Sequence, residues 1–169
     1  MKKRLQLVKS NNKNVKKADN NQQARDDAFN LLSYRERSEA ELESRLLKKG
    51  YTQEIVRDVV QHLKELDYIN DKRFAIKWIN YRIKNNPRGR FLLQRELKEK
   101  GITYDIIKTT IQKLISDELE IKMGVKLACK WLDINKNKSD YKVKLMNYLQ
   151  RKGFSVDKIY AILDKINLN

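Results

Sequence analysis

The 169-residue chain has room for one or two ordinary domains. Its 38 Lys and Arg against 22 Asp and Glu leave a formal charge of +16, an excess that draws polyanions or acidic protein surfaces. No stretch approaches the roughly 20 consecutive apolar residues of a membrane-spanning helix. The single cysteine, Cys129, excludes an internal disulfide, and the one histidine, His62, cannot build a metal site with one distant cysteine.

Residues 1–24 (MKKRLQLVKSNNKNVKKADNNQQA) carry seven Lys or Arg against one Asp, with many Asn and Gln and little apolar patterning. This composition predicts a disordered basic tail. About +10 of the +16 therefore belongs to the rest of the chain. The tail lacks the apolar stretch of a secretory signal, and its few Arg and Ser argue against a transit peptide.

From residue 25 onward one phrase occurs three times: Lys48-Lys49-Gly50-Tyr51-Thr52, Glu99-Lys100-Gly101-Ile102-Thr103 and Arg151-Lys152-Gly153-Phe154-Ser155, its glycines 51 and then 52 residues apart. Such a period marks a repeat architecture. Before each glycine stands a leucine pair at helical spacing (Leu42/Leu46, Leu93/Leu97, Leu145/Leu149). After it a second stripe follows: Val56/Val60/Leu63, Ile107/Ile111/Leu114 and Ile159/Leu163/Ile166. The glycine closes one helix in the left-handed conformation, the preceding cations offset its dipole, and Thr52, Thr103 and Ser155 cap the next. Further upstream AFNLL (28–32), AIKWI (75–79) and ACKWL (128–132) align Leu31, Trp78 and Trp131. Lys, Leu, Glu and Gln dominate, with five Gly and one Pro, and no alternating β-branched run is bounded by turn chemistry. The expected fold is all-α: three tandem three-helix repeats over 25–69, 70–117 and 118–169, forming an elongated, curved array. Repeats of roughly 45 residues are small for independent stability, so neighbours are expected to bury faces against one another.

Catalytic constellations are missing from the sequence: there is no GxxxxGK[ST], GxGxxG or HExxH. Asp67 and Asp71, flanking Tyr68-Ile69-Asn70, could hold magnesium, but acids between helices read better as caps and turn residues. Gly89, within Asn86-Pro87-Arg88-Gly89-Arg90, resembles a phosphate-binding loop only weakly, since no strand precedes it. Cys129, inside the apolar ACKWL phrase, reads as a buried structural thiol. The tryptophans read as core rather than as platforms for base stacking, because Leu31 holds the equivalent place in the first repeat. No enzyme activity, cofactor or metal is expected.

Charge is densest in the middle repeat, where Arg73, Lys77, Arg82, Lys84, Arg88, Arg90, Arg95, Lys98 and Lys100 crowd into fewer than thirty residues. A helix running from about Gly89, with Pro87 helping to start it, would carry Arg95 and Lys98 on neighbouring turns. Arg73, Arg82, Arg88, Arg90, Arg95, Lys98 and Lys100 are the candidate partner-binding residues. Arg73 and Arg82, nine residues apart on the helix of Trp78, either meet the partner or brace adjacent repeats through acids such as Asp71.

The stretch Ala28–Tyr51, the run Tyr68-Ile69-Asn70-Asp71-Lys72-Arg73-Phe74-Ala75, then Arg82 and Gln94–Ile102 resemble the RecX regulatory proteins of bacteria over about residues 25–166. The Asn70–Ala75 phrase and the Glu96-Leu97 pair upstream of Lys100-Gly101-Ile102 are the most specific parts of the match. The resemblance implies tandem three-helix repeats and a non-enzymatic cytoplasmic modulator of the RecA recombinase. Such a protein binds the RecA nucleoprotein filament along its groove and restrains ATP hydrolysis and strand exchange in DNA repair and the SOS response. It implies weaker, electrostatic DNA binding and a monomer. Charge reversal at Arg88 and Arg95 is the expected way to abolish inhibition. The chain departs from the family where Asn86 replaces the usual glycine before Pro87, and in the third repeat, where Asn135-Lys136-Asn137-Lys138 reads as a polar insertion. A sequence-tolerant DNA-binding protein or transcriptional regulator is the alternative, and a helical scaffold for another acidic protein is a third reading.

Overall fold

The computed structural model describes residues 20–135 and 140–168, and among these the regular structure is entirely helical. Helix α1 covers 20–34. It is followed by α2 (Glu39–Lys48), α3 (Gln53–Glu65), α4 (Asp71–Asn85), α5 (Arg90–Glu99), α6 (Tyr104–Leu114), α7 (Asp117–Asn135), α8 (Tyr141–Arg151) and α9 (Val156–Lys165). Residues 20–24, read from sequence as the end of the basic tail, belong to α1, and Ala24 is fully buried. The rest of that tail lies outside the described residues. So do Lys136, Asn137 and Lys138 of the polar insertion, whereas Asn135 ends α7 and donates its amide to the Trp131 carbonyl at 2.8 Å.

The chain divides after Asp71 into two compact units. In the first, Ala24 and Ala28 of α1, Leu42 and Leu46 of α2, and Ile55, Val56, Val59, Val60 and Leu63 of α3 form one core with Ile69. The second holds α4–α9 around a single core that includes Phe74, Ile79, Leu93, Leu97, Ile111, Met123, Leu145 and Leu163. The second and third repeats share this one core, whereas the first repeat, of similar length, has a core of its own. All six leucines of the pairs preceding the glycines are fully buried, each contributing about 1.5–3 kcal/mol.

The glycine joints are Schellman closures. Gly50, Gly101 and Gly153 have φ of +94°, +80° and +90°. Their N–H groups donate to Leu47, Lys98 and Gln150, and those of Tyr51, Ile102 and Phe154 to Leu46, Leu97 and Leu149. Asp67 (φ 56°) and Asn167 (φ 53°) close α3 and α9 with the same pair of bonds, because their short polar side chains tolerate the left-handed region. Thr52, Thr103 and Ser155 all stand at N-caps, but only Thr52 accepts a backbone N–H, from Ile55 at 3.4 Å. The Ser155 hydroxyl bonds the Asp157 carboxylate instead, which holds that carboxyl below its usual value.

Candidate partner-binding surface

Helix α5 is positioned at its N-terminus by groups distant in sequence. Its N-cap is Gly89, which has no side chain to offer. The Gly89 and Phe91 N–H groups donate to the carbonyls of Lys152 (2.9 Å) and Gly153 (3.2 Å) at the end of α8. The Arg90 N–H donates to Glu120 Oε1 of α7 at 2.8 Å. A Cβ on Gly89 would lie 2.2 Å from the Gly153 oxygen, and one on Gly153 would lie 2.3 Å from Leu92 Cβ. Two glycines therefore permit this end-to-end helix contact. It also agrees with the weak phosphate-loop signal of the sequence: the Gly89, Arg90 and Phe91 N–H groups are already bound within the protein. Pro87 is buried two residues before the N-cap, so it shapes the approach to α5 and not its first turn.

Much of the basic cluster is folded inward. Glu96 accepts from both Trp78 Nε1 and Arg82 Nε at 2.9 Å, and Arg88 Nε lies 3.7 Å from its other oxygen. Arg82 and Lys100 also stand over the Trp78 ring, 4.9 and 5.0 Å from its centroid, and Phe74 stacks on it at 6.0 Å. Trp78 thus serves packing, as its sequence equivalence to Leu31 indicated. Arg90 donates to the Ile115 carbonyl at 2.7 Å and pairs with Asp117 (2.7 Å) and Glu120 (3.2 Å). Lys158 of α9 joins Asp117 at 2.7 Å. Burial raises the Glu120 carboxyl above its ordinary value, against the pull of the Arg90 N–H and guanidinium. The exposed Asp117 is held low by hydrogen bonds from Lys158 and Arg90. Arg73 lies half-buried in the first turn of α4.

Asp71 occupies a matching place in the first unit. Its Oδ1 accepts the N–H of Glu39, the first residue of α2, at 2.9 Å. The reading of Asp67 and Asp71 as turn and cap residues holds, with the added point that Asp71 caps α2 while itself beginning α4. Its carboxyl is raised by burial.

Of the seven candidate cations, Arg95 and Lys98 are exposed, as are Lys77 and Lys84 of the wider cluster. Arg95 is 70% exposed and pairs with Glu99, 3.7 Å away on the same helix and 68% exposed; Lys98 is likewise exposed. With Phe91 (61% exposed) they occupy positions i, i+4 and i+7 of α5, opposite the buried Leu93/Leu97 stripe. On one side of this ridge Phe91, Gln94, Arg95 and Lys98 border a groove of about 480 Å³ whose other wall includes Tyr104 of α6, 70% exposed, and whose floor is Ile102 and Ile107. On the other side, a groove of about 380 Å³ is lined by Phe91, Leu92, Arg95, Gln150, Arg151 and Gly153. Phe91, Tyr104, Glu96 and Glu120 were absent from the sequence-derived set. For Phe91 a signal existed: an aromatic off the leucine stripe, in step with Arg95 and Lys98.

Cys129 is exposed, contrary to the reading as a buried thiol. The buried stripe of α7 runs through Glu120, Met123, Gly124, Leu127 and Ala128, and the next residue turns about 100° away from it.

Two family models match the chain: RecX, first three-helix domain, over residues 24–63, and RecX, second three-helix domain, over residues 70–111. The regulatory protein RecX of Bacillus subtilis (strain 168) is 38% identical over 141 residues, covering 82% of this chain and 53% of that protein. That of Listeria monocytogenes (serovar 1/2a, strain EGD-e) is 34% identical over 152 residues, covering 88% and 56%. The chain spans just over half the length of these curated relatives. The crystal structure of RecX from Lactobacillus salivarius matches with a TM-score of 0.79 at 28% identity, over 90% of this chain and 99% of that one. A second crystal structure, of a regulatory protein RecX, matches in fold with a TM-score of 0.83 at 23% identity, over 92% and 77%. Both matched domains lie over helix triplets, α1–α3 and α4–α6, whose second and third helices meet at a glycine joint, and the chain belongs to the RecX family of regulatory proteins.

Proposed function

We propose that this chain is a negative regulator of the RecA recombinase that acts in the cytoplasm as a monomer. It binds the RecA–DNA filament and restrains ATP hydrolysis and strand exchange in DNA repair and the SOS response, catalysing no reaction itself. Membership of the RecX family carries this reading. The α5 ridge supports it physically, because exposed cations beside an exposed aromatic make a surface that steers toward an acidic partner and anchors on it. DNA itself is a weaker, electrostatic partner, with an affinity that falls steeply as salt rises. Of the seven candidates named from sequence, Arg95 and Lys98 are assigned to direct contact. Arg82, Arg88, Arg90 and Lys100 shape the helix that presents them, and Arg73 remains a candidate contact on α4. Charge reversal at Arg88 would set a second carboxylate beside Glu96, so Arg95 and Lys98 make the cleaner pair to alter.

Titration into preformed RecA filaments on single-stranded DNA, following ATP hydrolysis alongside binding to bare DNA, tests the proposal. Inhibition is expected at concentrations that leave bare DNA uncoated. R95E/K98E is expected to weaken inhibition at least about tenfold with helicity retained. Inhibition only at DNA saturation would favour the sequence-tolerant DNA-binding protein.

A further inference from the structure

The groove between α5 and α6 has the make-up of a receptor for a single side chain. Ile102 and Ile107 give it an apolar floor, Phe91 and Tyr104 form aromatic walls, and Arg95 and Lys98 stand on the rim. At about 480 Å³ it falls within the range that specific ligands fill. Arg151 extends the positive edge beyond the Phe91–Arg95 ridge into the neighbouring groove.

The position is singular among the repeats. Fifty-one residues earlier, the corresponding face of α2 carries Ala40, Glu43, Ser44 and Leu47, and fifty-two residues later that of α8 carries Val143, Met146, Asn147 and Gln150. Only α5 combines an aromatic with two cations there. Repeat architecture does not require this combination, since α2 and α8 bury the same leucine pair without it.

We propose that this groove captures an acidic segment of a protein partner, an aromatic or branched aliphatic side chain of that segment entering between Phe91 and Tyr104 while its flanking carboxylates meet Arg95, Lys98 and Arg151. This deepens the proposed function and rests on it for the identity of the partner. A nucleobase suits the groove less well. Its polar edge would face the isoleucine floor, where hydrogen-bonding groups go unpaired.

The test uses the full chain and a fluorescein-labelled 12-residue peptide of alternating Asp and Glu around one central Phe, read by anisotropy at two salt concentrations. Replacing the central Phe by Ser, or the acids by Asn and Gln, is expected to weaken binding about tenfold in each case. F91S and R95E/K98E are expected to do the same with the far-ultraviolet circular dichroism unchanged, since these side chains are mostly exposed. Equal affinity for the Ser-centred or neutral peptide would overturn the proposal, as would unchanged binding in both variants. Displacement of the peptide by an equal concentration of oligo(dT) would also overturn it and make the groove a nucleic-acid surface. If the peptide binds as expected while RecA ATP hydrolysis is untouched, the groove stands and the proposed function fails. If hydrolysis is inhibited while no peptide binds, the reverse holds.

Discussion

Helices α2 and α5 occupy the same place in successive repeats, yet their ends are satisfied by different means. Both are ten residues long, both bury a leucine pair, and both end in a glycine with positive φ. Each also donates its first N–H to a carboxylate in the first turn of a later helix, α2 to Asp71 of α4 and α5 to Glu120 of α7. Beyond that, α2 is locally equipped: Ser38 accepts the Glu41 N–H at 3.2 Å, and Glu39 and Glu41 complement the dipole. Helix α5 has no side chain at its own N-cap and no acid in its first turn. Its N-terminus is completed by the carbonyl end of α8, so its placement depends on the repeat that follows. The difference teaches that one local pattern can build either a self-sufficient helix or one held by a neighbour.

The glycines give the sharpest way to break this equivalence. Gly50 and Gly153 share the same closure, but a Cβ on Gly50 meets nothing within 4 Å while one on Gly153 strikes Leu92. G50A is expected to cost about 1 kcal/mol from left-handed strain alone. G153A is expected to cost about 4 kcal/mol, strain plus overpacking, as read from urea denaturation followed by circular dichroism. Similar losses at both sites would mean that the α5–α8 contact contributes little.

Glu96 provides a second contrast, because its counterpart in α2 is the exposed Arg45. E96A removes the acceptor of Trp78 and Arg82 and the ion-pair partner of Arg88, and is expected to cost about 2 kcal/mol. R45A is expected to stay within about 0.5 kcal/mol of wild type. The local cap of α2 comes next: S38A is expected to cost about 1 kcal/mol, read as a shift in the same urea midpoint.

Acid titration separates one carboxyl of each unit by sign, Asp27 of the first and Glu120 of the second. Hydrogen bonds from Lys49 (2.8 Å) and Tyr51 (2.7 Å) hold the Asp27 carboxyl below its ordinary value of 3.8, while burial, and after it the bond to Asp27, pushes the Tyr51 phenol up to about 12. A carboxyl lowered in the folded state stabilises above its unfolded value and loses that contribution as pH falls through the folded one. The stability gap between wild type and D27N should therefore shrink as pH drops through and below 3.8. Glu120 is raised above 4.5 by burial, so its contribution is present below that value and is lost as pH rises through the folded one. Relative to E120Q, wild type should gain stability on acidification. Urea midpoints across the acid range check both, and parallel behaviour of the two variants would contradict the opposed shifts.

The periodic features of the fold were legible in the residues themselves. Leu42/Leu46, Leu93/Leu97 and Leu145/Leu149 announced a buried stripe, and the three glycines announced helix ends, because both signals arise within a few turns of one chain segment. The candidate site was legible only in part. Arg95, Lys98 and the arginines packed inward look alike in sequence, since a cation's role depends on whether an acid such as Glu96 or Glu120 comes within reach. Cys129 failed for a related reason: an apolar phrase does not say which of its residues faces the core. Helix content, repeat length, the glycine closures and the leucine faces are set by local backbone preference and hydrophobic periodicity, which any sequence carries on its surface. Pairing Gly89 with Gly153, capping α5 by Glu120, and leaving Phe91 and Arg95 exposed were decided by tertiary structure, because each depends on groups that only packing brings together.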